Sequence, residues 1–117
     1  MIVAAVDDLM FAAKISTAAR QLGVDVVFAK TPAAVHQEAL ARKPGLIIFD
    51  LNSLRVDPLT TIAALKGDPA LAATRIVGFV SHVQTDLVAS ARAAGADEVL
   101  ARSAFSAHLA DILKQGA

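Results

Sequence analysis

The stretch LIIFDLN, residues 46–52, carries the clearest signal of the fold, because four consecutive apolar residues run directly into an aspartate. A run that is apolar at every position is typical of a strand buried on both faces of a parallel sheet. Further short, mainly apolar runs lie at 2–6, 24–28, 75–80 and 99–100. The sequence therefore predicts five strands, and the third of them ends in a carboxylate.

Segments with helical periodicity separate these predicted strands. They cover residues 11–22, 31–41, 57–66, 83–94 and 105–113. Thr31 and Asp57 each precede a proline, which is the signature of an N-cap followed by a first-turn proline. Alternating strands and helices predict repeated β-α units, whose right-handed crossovers put helices on both faces of a parallel sheet. We therefore expect one α/β domain that spans residues 1–117.

Composition excludes several classes of protein. The chain has 117 residues, 56% of them hydrophobic, against about 45–50% apolar residues in ordinary soluble domains. A sheet buried on both faces explains this excess, because no apolar run approaches the roughly 20 residues of a spanning helix. No signal peptide is visible, and the absence of cysteine fits a cytoplasmic protein.

The charge pattern argues against direct nucleic-acid binding. Formal net charge is zero, and the chain has neither tryptophan nor tyrosine. A nucleic-acid surface normally combines a basic patch with aromatic side chains on which bases stack. We therefore expect neither nucleic acid nor a membrane as a partner.

Polar residues follow four of the five predicted strands. These residues are Asp7, Asp8, Asp50, Ser81 and Arg102. Ligands of such sheets bind beyond the carboxyl ends of the strands, so these side chains should share one edge. Three carboxylates in one pocket repel each other, and Mg²⁺ relieves that repulsion because it prefers oxygen ligands. A carboxylate beside the metal is a competent nucleophile for forming an aspartyl phosphate.

At this point the sequence resembles the receiver domains of bacterial response regulators over essentially its whole length. Val6-Asp7-Asp8 is similar to the acidic pair after the first strand, and 46–52 to the strand that carries the phosphoacceptor. Ser81 falls at the hydroxyl position after strand four, and Gly95-Ala96-Asp97 matches the turn before strand five. The resemblance implies a three-layer flavodoxin/CheY-like fold with five parallel strands in the order 2-1-3-4-5.

The resemblance also implies a role for each site residue. Asp50 would be the phosphoacceptor, with Ser81 and Arg102 contacting the phosphoryl group. Asp8, Asp50 and the backbone carbonyl of Asn52 would ligate Mg²⁺, and Asp7 would reach the metal through water. A histidine kinase or phosphotransfer protein would donate the phosphoryl group. The signal would pass to a downstream protein through the face formed by helix four, strand five and helix five.

Three departures from the family pattern put signalling in doubt. The family usually has lysine followed by proline after strand five, where this chain has Arg102-Ser103. Ser53-Leu54 replaces the methionine-proline that usually follows the acceptor, and Val99 stands at the aromatic switch position. Arginine keeps the charge of lysine but replaces a compact ammonium with a planar fork. Arg102 paired with Asp50 would then be a bare structural ion pair, making the chain a pseudo-receiver.

Simpler roles remain open for several residues. Asp7 and Asp8 fit the start of the first helix as caps, and Ser81 fits a capping box with Gln84. His82 lies beside the expected site, where it either touches a phosphoryl group or begins a helix in solvent. His36 and His108 have no acidic partner at ligand spacing, so we expect them to be surface residues.

Two functions follow from these patterns, and a third is disfavoured. The first is a stand-alone signalling domain that accepts a phosphoryl group on Asp50 with Mg²⁺ and has no other enzymatic activity. The alternative is a phosphorylation-independent pseudo-receiver that acts as a protein-binding module. An enzyme on the same fold is disfavoured because a flavin phosphate would want a glycine- and hydroxyl-rich loop where Asp7 and Asp8 stand, and a phosphatase would want further acid–base groups.

Overall fold

The structure is a computed structural model that describes residues 1–81 and 84–116. Its strands are β1 (Ile2–Ala5), β2 (Val26–Phe28), β3 (Leu46–Asp50), β4 (Arg75–Val80) and β5 (Glu98–Ala101). Its helices are α1 (Leu9–Leu22), α2 (Pro32–Arg42), α3 (Pro58–Gly67), α4 (Thr85–Ala94), α5 (Arg102–Ala107) and α6 (Leu109–Lys114). A short 3₁₀ helix, Pro69–Leu71, follows α3.

The five strands form one sheet in the order β2-β1-β3-β4-β5, and every neighbouring pair is parallel. In this register Ile2 pairs with Val26 on one side and with Leu46 on the other. Asp50, the last residue of β3, pairs with Phe79. The predicted fold class and strand order are therefore confirmed.

Two hydrophobic clusters cover the two faces of the sheet. Along β1 and β3 the side chains alternate between them, so that Val3 and Ile47 enter one cluster while Ile2 and Leu46 enter the other. All four of these residues are fully buried. Burial on both faces explains why the strands are apolar throughout and why the hydrophobic fraction is high.

The two predicted N-caps, Thr31 and Asp57, are confirmed in part. The Thr31 hydroxyl accepts a hydrogen bond from the Ala34 N–H at 3.1 Å, as an N-cap should. Asp57 stands at the N-cap of α3, but with φ of 47° its side chain makes no capping bond. The position is as predicted, whereas the capping bond is absent.

Two predictions about the helices are wrong. The last helix divides at His108 into α5 and α6, although Phe105 and Leu109 bury the same continuous apolar face. The helix after β4 begins at Thr85, with Gln84 at its cap, so Ser81 does not form the predicted capping box. Long-range hydrogen bonds instead join Ser81 and Gln84 to Asn52.

His36 has an acidic partner that the sequence did not indicate. Its Nε2 lies 3.0 Å from Oδ2 of Asp68, which follows α3. The two residues are 32 positions apart, so no local spacing could have paired them. This contact ties α2 to the segment after α3.

No helix within the described parts of the chain, 1–81 and 84–116, is both long and apolar enough to cross a bilayer.

Candidate functional site

The carboxyl edge of the sheet brings together residues from four loops. Asp8 follows β1, Asp50 ends β3 and Arg102 follows β5, and all three meet at this edge. Nη2 of Arg102 lies 3.5 Å from Oδ2 of Asp8 and 3.8 Å from Oδ2 of Asp50. The structure thus places one guanidinium against both carboxylates, including the predicted pairing of Arg102 with Asp50.

Asp50 is the most enclosed of the three aspartates, since only 6% of its surface is exposed. Its Oδ1 accepts a hydrogen bond from the Asn52 N–H at 3.0 Å, which leaves Oδ2 facing Arg102. Burial raises the pKa of Asp50, and the negative charges of Asp8 and Asp7 act in the same direction. The Asn52 N–H and Arg102 oppose this rise without cancelling it.

Asp8 serves as both a helix cap and a member of the site. Its Oδ1 accepts the N–H of Phe11 at 3.0 Å as the N-cap of α1, while Oδ2 faces Arg102. The Phe11 N–H holds the pKa of Asp8 below its usual range, against the effect of burial, and Arg102 contributes to the lowering. The capping interpretation and the shared acidic site are therefore compatible.

Asp7 pairs with an arginine that the sequence did not single out. Nη1 of Arg55, in the loop between β3 and α3, lies 3.3 Å from Oδ1 of Asp7. Two guanidinium groups thus face the three carboxylates. In the sequence, Arg55 could be recognised only as a basic residue in the loop that follows Asp50.

Asn52 connects the acidic site to the loop that follows β4. Its Oδ1 accepts the Ser81 N–H at 2.8 Å, and its Nδ2 donates to Oε1 of Gln84 at 2.8 Å. Its own N–H contacts Asp50, as described above. The sequence pointed to Asn52 only for its carbonyl, so this side-chain role was missed. Ser81 lies at the predicted edge but is exposed, and its backbone N–H makes this contact.

The guanidinium of Arg102 packs against an aromatic cluster formed by Phe11, Phe79 and Phe105. Its Cζ lies 4.7 Å from the ring centroid of Phe11 and 5.6 Å from that of Phe79, within the range of a cation–π interaction. The ring of Phe105 packs against that of Phe79, with the centroids 4.8 Å apart and the planes tilted by 39°. A planar guanidinium suits such a surface better than an ammonium does.

Residues that depart from the receiver pattern also lie near the site. Val99 is buried within the core cluster beneath the predicted α4–β5 face, and no aromatic ring stands at that position. Among the described residues, the buried atoms Oγ of Ser53 and Nε of Arg102 have no hydrogen-bond partner. The interpretation of His82 lies outside the described residues.

The donor set is chemically suited to Mg²⁺, although Arg102 faces the same oxygens. In the part of the chain that the structure describes, no three carboxylate, imidazole or thiol side chains are grouped as a metal site. Mg²⁺ usually needs only one or two carboxylates and keeps several waters. The oxygen atoms of Asp8, Asp50 and the Asn52 carbonyl are therefore ligands of the kind that Mg²⁺ prefers. The two carboxylates are, however, already faced by Arg102.

Comparison with known proteins gives matches at the level of structure. No protein-family model and no curated protein sequence matches the chain. A response regulator from Hahella chejuensis is similar with a TM-score of 0.86 and 21% identity, over 97% of this chain and 91% of that one. The chemotaxis response regulator CheY4 of Vibrio cholerae is similar with a TM-score of 0.85 and 17% identity, over 99% and 97%.

A third similar structure is a response regulator protein from Burkholderia pseudomallei with a phosphorylated aspartic acid, calcium ion and citrate. Its TM-score is 0.81 and its identity 23%, over 96% of this chain and 65% of that one. Solved response regulators thus share the five-stranded architecture over nearly all of this sequence. The chain has the fold of response-regulator receiver domains.

Proposed function

We propose that this chain is a receiver-type signalling domain in which Asp50 accepts a phosphoryl group. The observation that carries the proposal is the position of Asp50 at the carboxyl end of β3, enclosed by protein, with Oδ2 facing the same guanidinium as Asp8. The similar structure from Burkholderia pseudomallei, which has a phosphorylated aspartic acid, supports the same chemistry. The chain would act as a phosphoacceptor and not as an enzyme with a separate substrate.

Transfer would proceed by attack of a carboxylate oxygen of Asp50 on the phosphorus of a phosphohistidine or a small phosphodonor. A new P–O bond forms as the donor's P–N or P–O bond breaks, and the leaving group departs with the bonding electrons. An imidazole leaving group then takes a proton from water. Asp7, Asp8, Asp50 and the Asn52 carbonyl would hold Mg²⁺, which when bound would supply positive charge beside the phosphoryl group.

Residues of this chain would then handle the added charge. Arg102 already faces Oδ2 of Asp50, so its guanidinium would pair with the phosphoryl oxygens. Ser81 would offer its hydroxyl after the Asn52 side chain releases its N–H. With Val99 in place of an aromatic switch, the change would reach α4 through Asn52 and Gln84.

Partners would approach the acidic edge. Among the described residues, three of the four large hydrophobic side chains that are well exposed lie in the loops and helix start beside it: Leu9 (76%), Met10 (86%) and Leu54 (94%). Exposed apolar groups at the rim of a charged pocket are typical of a protein-docking surface. We assign this rim to a cytoplasmic histidine kinase or phosphotransfer protein. We assign the face of α4, β5 and the last predicted helix, now α5 and α6, to a downstream protein.

A specific observation favours a second function, a phosphorylation-independent binding module. One guanidinium, that of Arg102, faces both Asp8 and Asp50, and Arg55 pairs with Asp7, so two protein cations already offset most of the negative charge of the acidic site. In such a pseudo-receiver the fold would serve partner recognition alone. Its partner complex would then be insensitive to Asp50→Asn, whereas a phosphorylation-dependent complex would be lost.

The test is incubation with Mg²⁺ and acetyl phosphate, followed by intact mass measurement. Asp57→Asn is the matched control, because Asp57 lies in the following loop and makes no side-chain capping bond. We expect one phosphoryl group on the wild type and on Asp57→Asn, and none on Asp50→Asn. A folded wild type that gains no phosphoryl group would sink the phosphoacceptor proposal, as would labelling that persists in Asp50→Asn.

A further inference from the structure

We infer that Arg102 is the internal counter-ion of Asp8 and Asp50, and that it competes directly with a divalent cation for these two carboxylates. The inference adds control of cation entry to the proposed function, yet it depends only on the contacts of Arg102. Its test therefore measures metal binding, so that competition and phosphoryl transfer can each fail without the other.

The carboxylate oxygens themselves point to competition. In Asp8 and in Asp50, Oδ1 is engaged by a backbone N–H, from Phe11 and from Asn52 respectively, each at 3.0 Å. The remaining oxygen of each carboxylate faces the same nitrogen, Nη2 of Arg102, at 3.5 and 3.8 Å. The guanidinium therefore stands against both oxygens that a cation would use.

A hydrated divalent ion needs this same space. Mg²⁺ sits about 2.0–2.1 Å from its oxygen ligands and keeps several waters in octahedral geometry. A guanidinium that faces both oxygens occupies the room for those waters, and its positive charge repels the ion. Binding of the ion and pairing of Arg102 should consequently exclude each other.

The aromatic cluster explains why Arg102 stays at the carboxylates. Its Cζ lies 4.7 Å from the ring centroid of Phe11 and 5.6 Å from that of Phe79. Phe11 lies in the same first turn of α1 that Asp8 caps, so one helical turn supplies both a carboxylate and a ring. A lysine could offer its charge here, but it has no planar group to lie on these rings.

The pairing is nevertheless weak enough to be reversed. Both ion-pair distances exceed that of a good charge-assisted hydrogen bond, and a third of the Arg102 side chain is exposed. Its buried Nε has no acceptor among the described residues. A divalent cation at sufficient concentration should therefore displace Arg102, and Arg102 sets the concentration at which this occurs.

The experiment is a titration with Mn²⁺, which shares the preference of Mg²⁺ for oxygen ligands. Binding is monitored by the relaxation rate of water protons. Intrinsic fluorescence would not report binding, because the chain has no tryptophan and no tyrosine. Arg102→Gln removes the charge and should lower the Mn²⁺ dissociation constant by about tenfold or more. Arg92→Gln, at an exposed position of α4, is the matched control and should leave it unchanged.

Two further variants complete the test. Adding Asp50→Asn to Arg102→Gln should abolish the gain, which places the ion at the acidic site. Arg102→Lys keeps the charge without the planar group, and its affinity should lie between those of the wild type and Arg102→Gln. Equal dissociation constants for the wild type and both single Arg102 variants, with circular dichroism confirming that they are folded, would overturn the inference.

Discussion

At the scale of single residues, Asp97 joins three parts of the chain at the turn before β5. Its Oδ2 accepts the Ile76 N–H at 2.7 Å and the Lys66 ammonium at 3.1 Å. The Lys66 side chain crosses directly over Gly95, where φ is 124° and an added Cβ would lie 2.5 Å from Lys66 Cγ. The Gly95-Ala96-Asp97 turn thus needs its glycine for conformation and for space, and its aspartate for these two bonds.

Asp97 should make stability depend on pH. Burial acts to raise its pKa, but the Ile76 N–H and the Lys66 ammonium outweigh that effect and lower it. A carboxyl group with a lowered pKa stabilises the folded state above its unfolded pKa, and this contribution is lost as pH falls through the folded value. Asp97→Asn should therefore lower the free energy of unfolding at pH 7 but have a shrinking effect below about pH 4.

Urea unfolding at several pH values measures this difference. Because 36% of the Asp97 side chain is exposed, solvent screening should hold the effect at pH 7 to about 1 kcal/mol or less. Asp25→Asn is the control, since Asp25 is exposed and has no ion pair among the described residues. A stability difference between wild type and Asp97→Asn that stays constant from pH 7 to pH 3 would contradict the assignment.

At the scale of elements, Asn52 decides where α4 begins. The local sequence Ser81 to Gln84 has the spacing of a capping box, yet the helix starts only at Thr85. The Asn52 amide accepts the Ser81 N–H and donates to the Gln84 side chain, so both ends of this short segment are held by the loop after β3. A contact across 29 to 32 residues has thus overridden a local preference.

Asn52→Ala should release this segment while leaving the sheet intact. Two hydrogen bonds of about 0.5–1.5 kcal/mol each would be lost, and the Ser81 N–H would turn to water. We expect faster amide hydrogen exchange at Ser81, whose N–H loses its acceptor, and unchanged exchange in β3. Gln84→Ala removes only one of the two bonds and should have a smaller effect, whereas unaltered exchange in Asn52→Ala would show that these bonds do not hold the loop.

At the scale of the whole molecule, one sheet separates two hydrophobic clusters. Ile62 is fully buried in one cluster and Ile15 in the other. Strands β1 and β3 contribute to both clusters because their side chains alternate, so neither cluster can lose its order without exposing a face of the shared strands. The two clusters should therefore unfold together.

Ile62→Val and Ile15→Val test this cooperativity with the same small change on each face. Each should lower the free energy of unfolding by about 0.5–1.5 kcal/mol. The double variant should show the sum to within roughly 0.5 kcal/mol, because the residues belong to different clusters. Denaturant unfolding followed by far-ultraviolet circular dichroism and by NMR should give one coincident transition, and separate midpoints for the two faces would refute it.

Local patterns in the amino-acid sequence were enough to predict the five strands, most helix bounds and the edge at which the polar residues gather. Apolar runs, helical periodicity and cap-proline pairs act between near neighbours in the chain, so they can be recognised without a structure. Asp8, Asp50 and Arg102 were found in this way, and the resemblance to receiver domains supplied the strand order. The spacing of Phe105 and Leu109 could not reveal the break at His108, because both helices use the same face.

The pairing of charges and amides, in contrast, depends on tertiary packing. Arg102 meets both Asp8 and Asp50, Arg55 meets Asp7, and His36 meets Asp68, across separations that no local pattern encodes. The physical reason is that a guanidinium or an amide is satisfied by whichever partner the packed sheet brings within a few ångströms. The sequence predicted that the acidic residues share one edge of the sheet. The packing of α1 and β5 brings the guanidinium of Arg102 against Asp8 and Asp50.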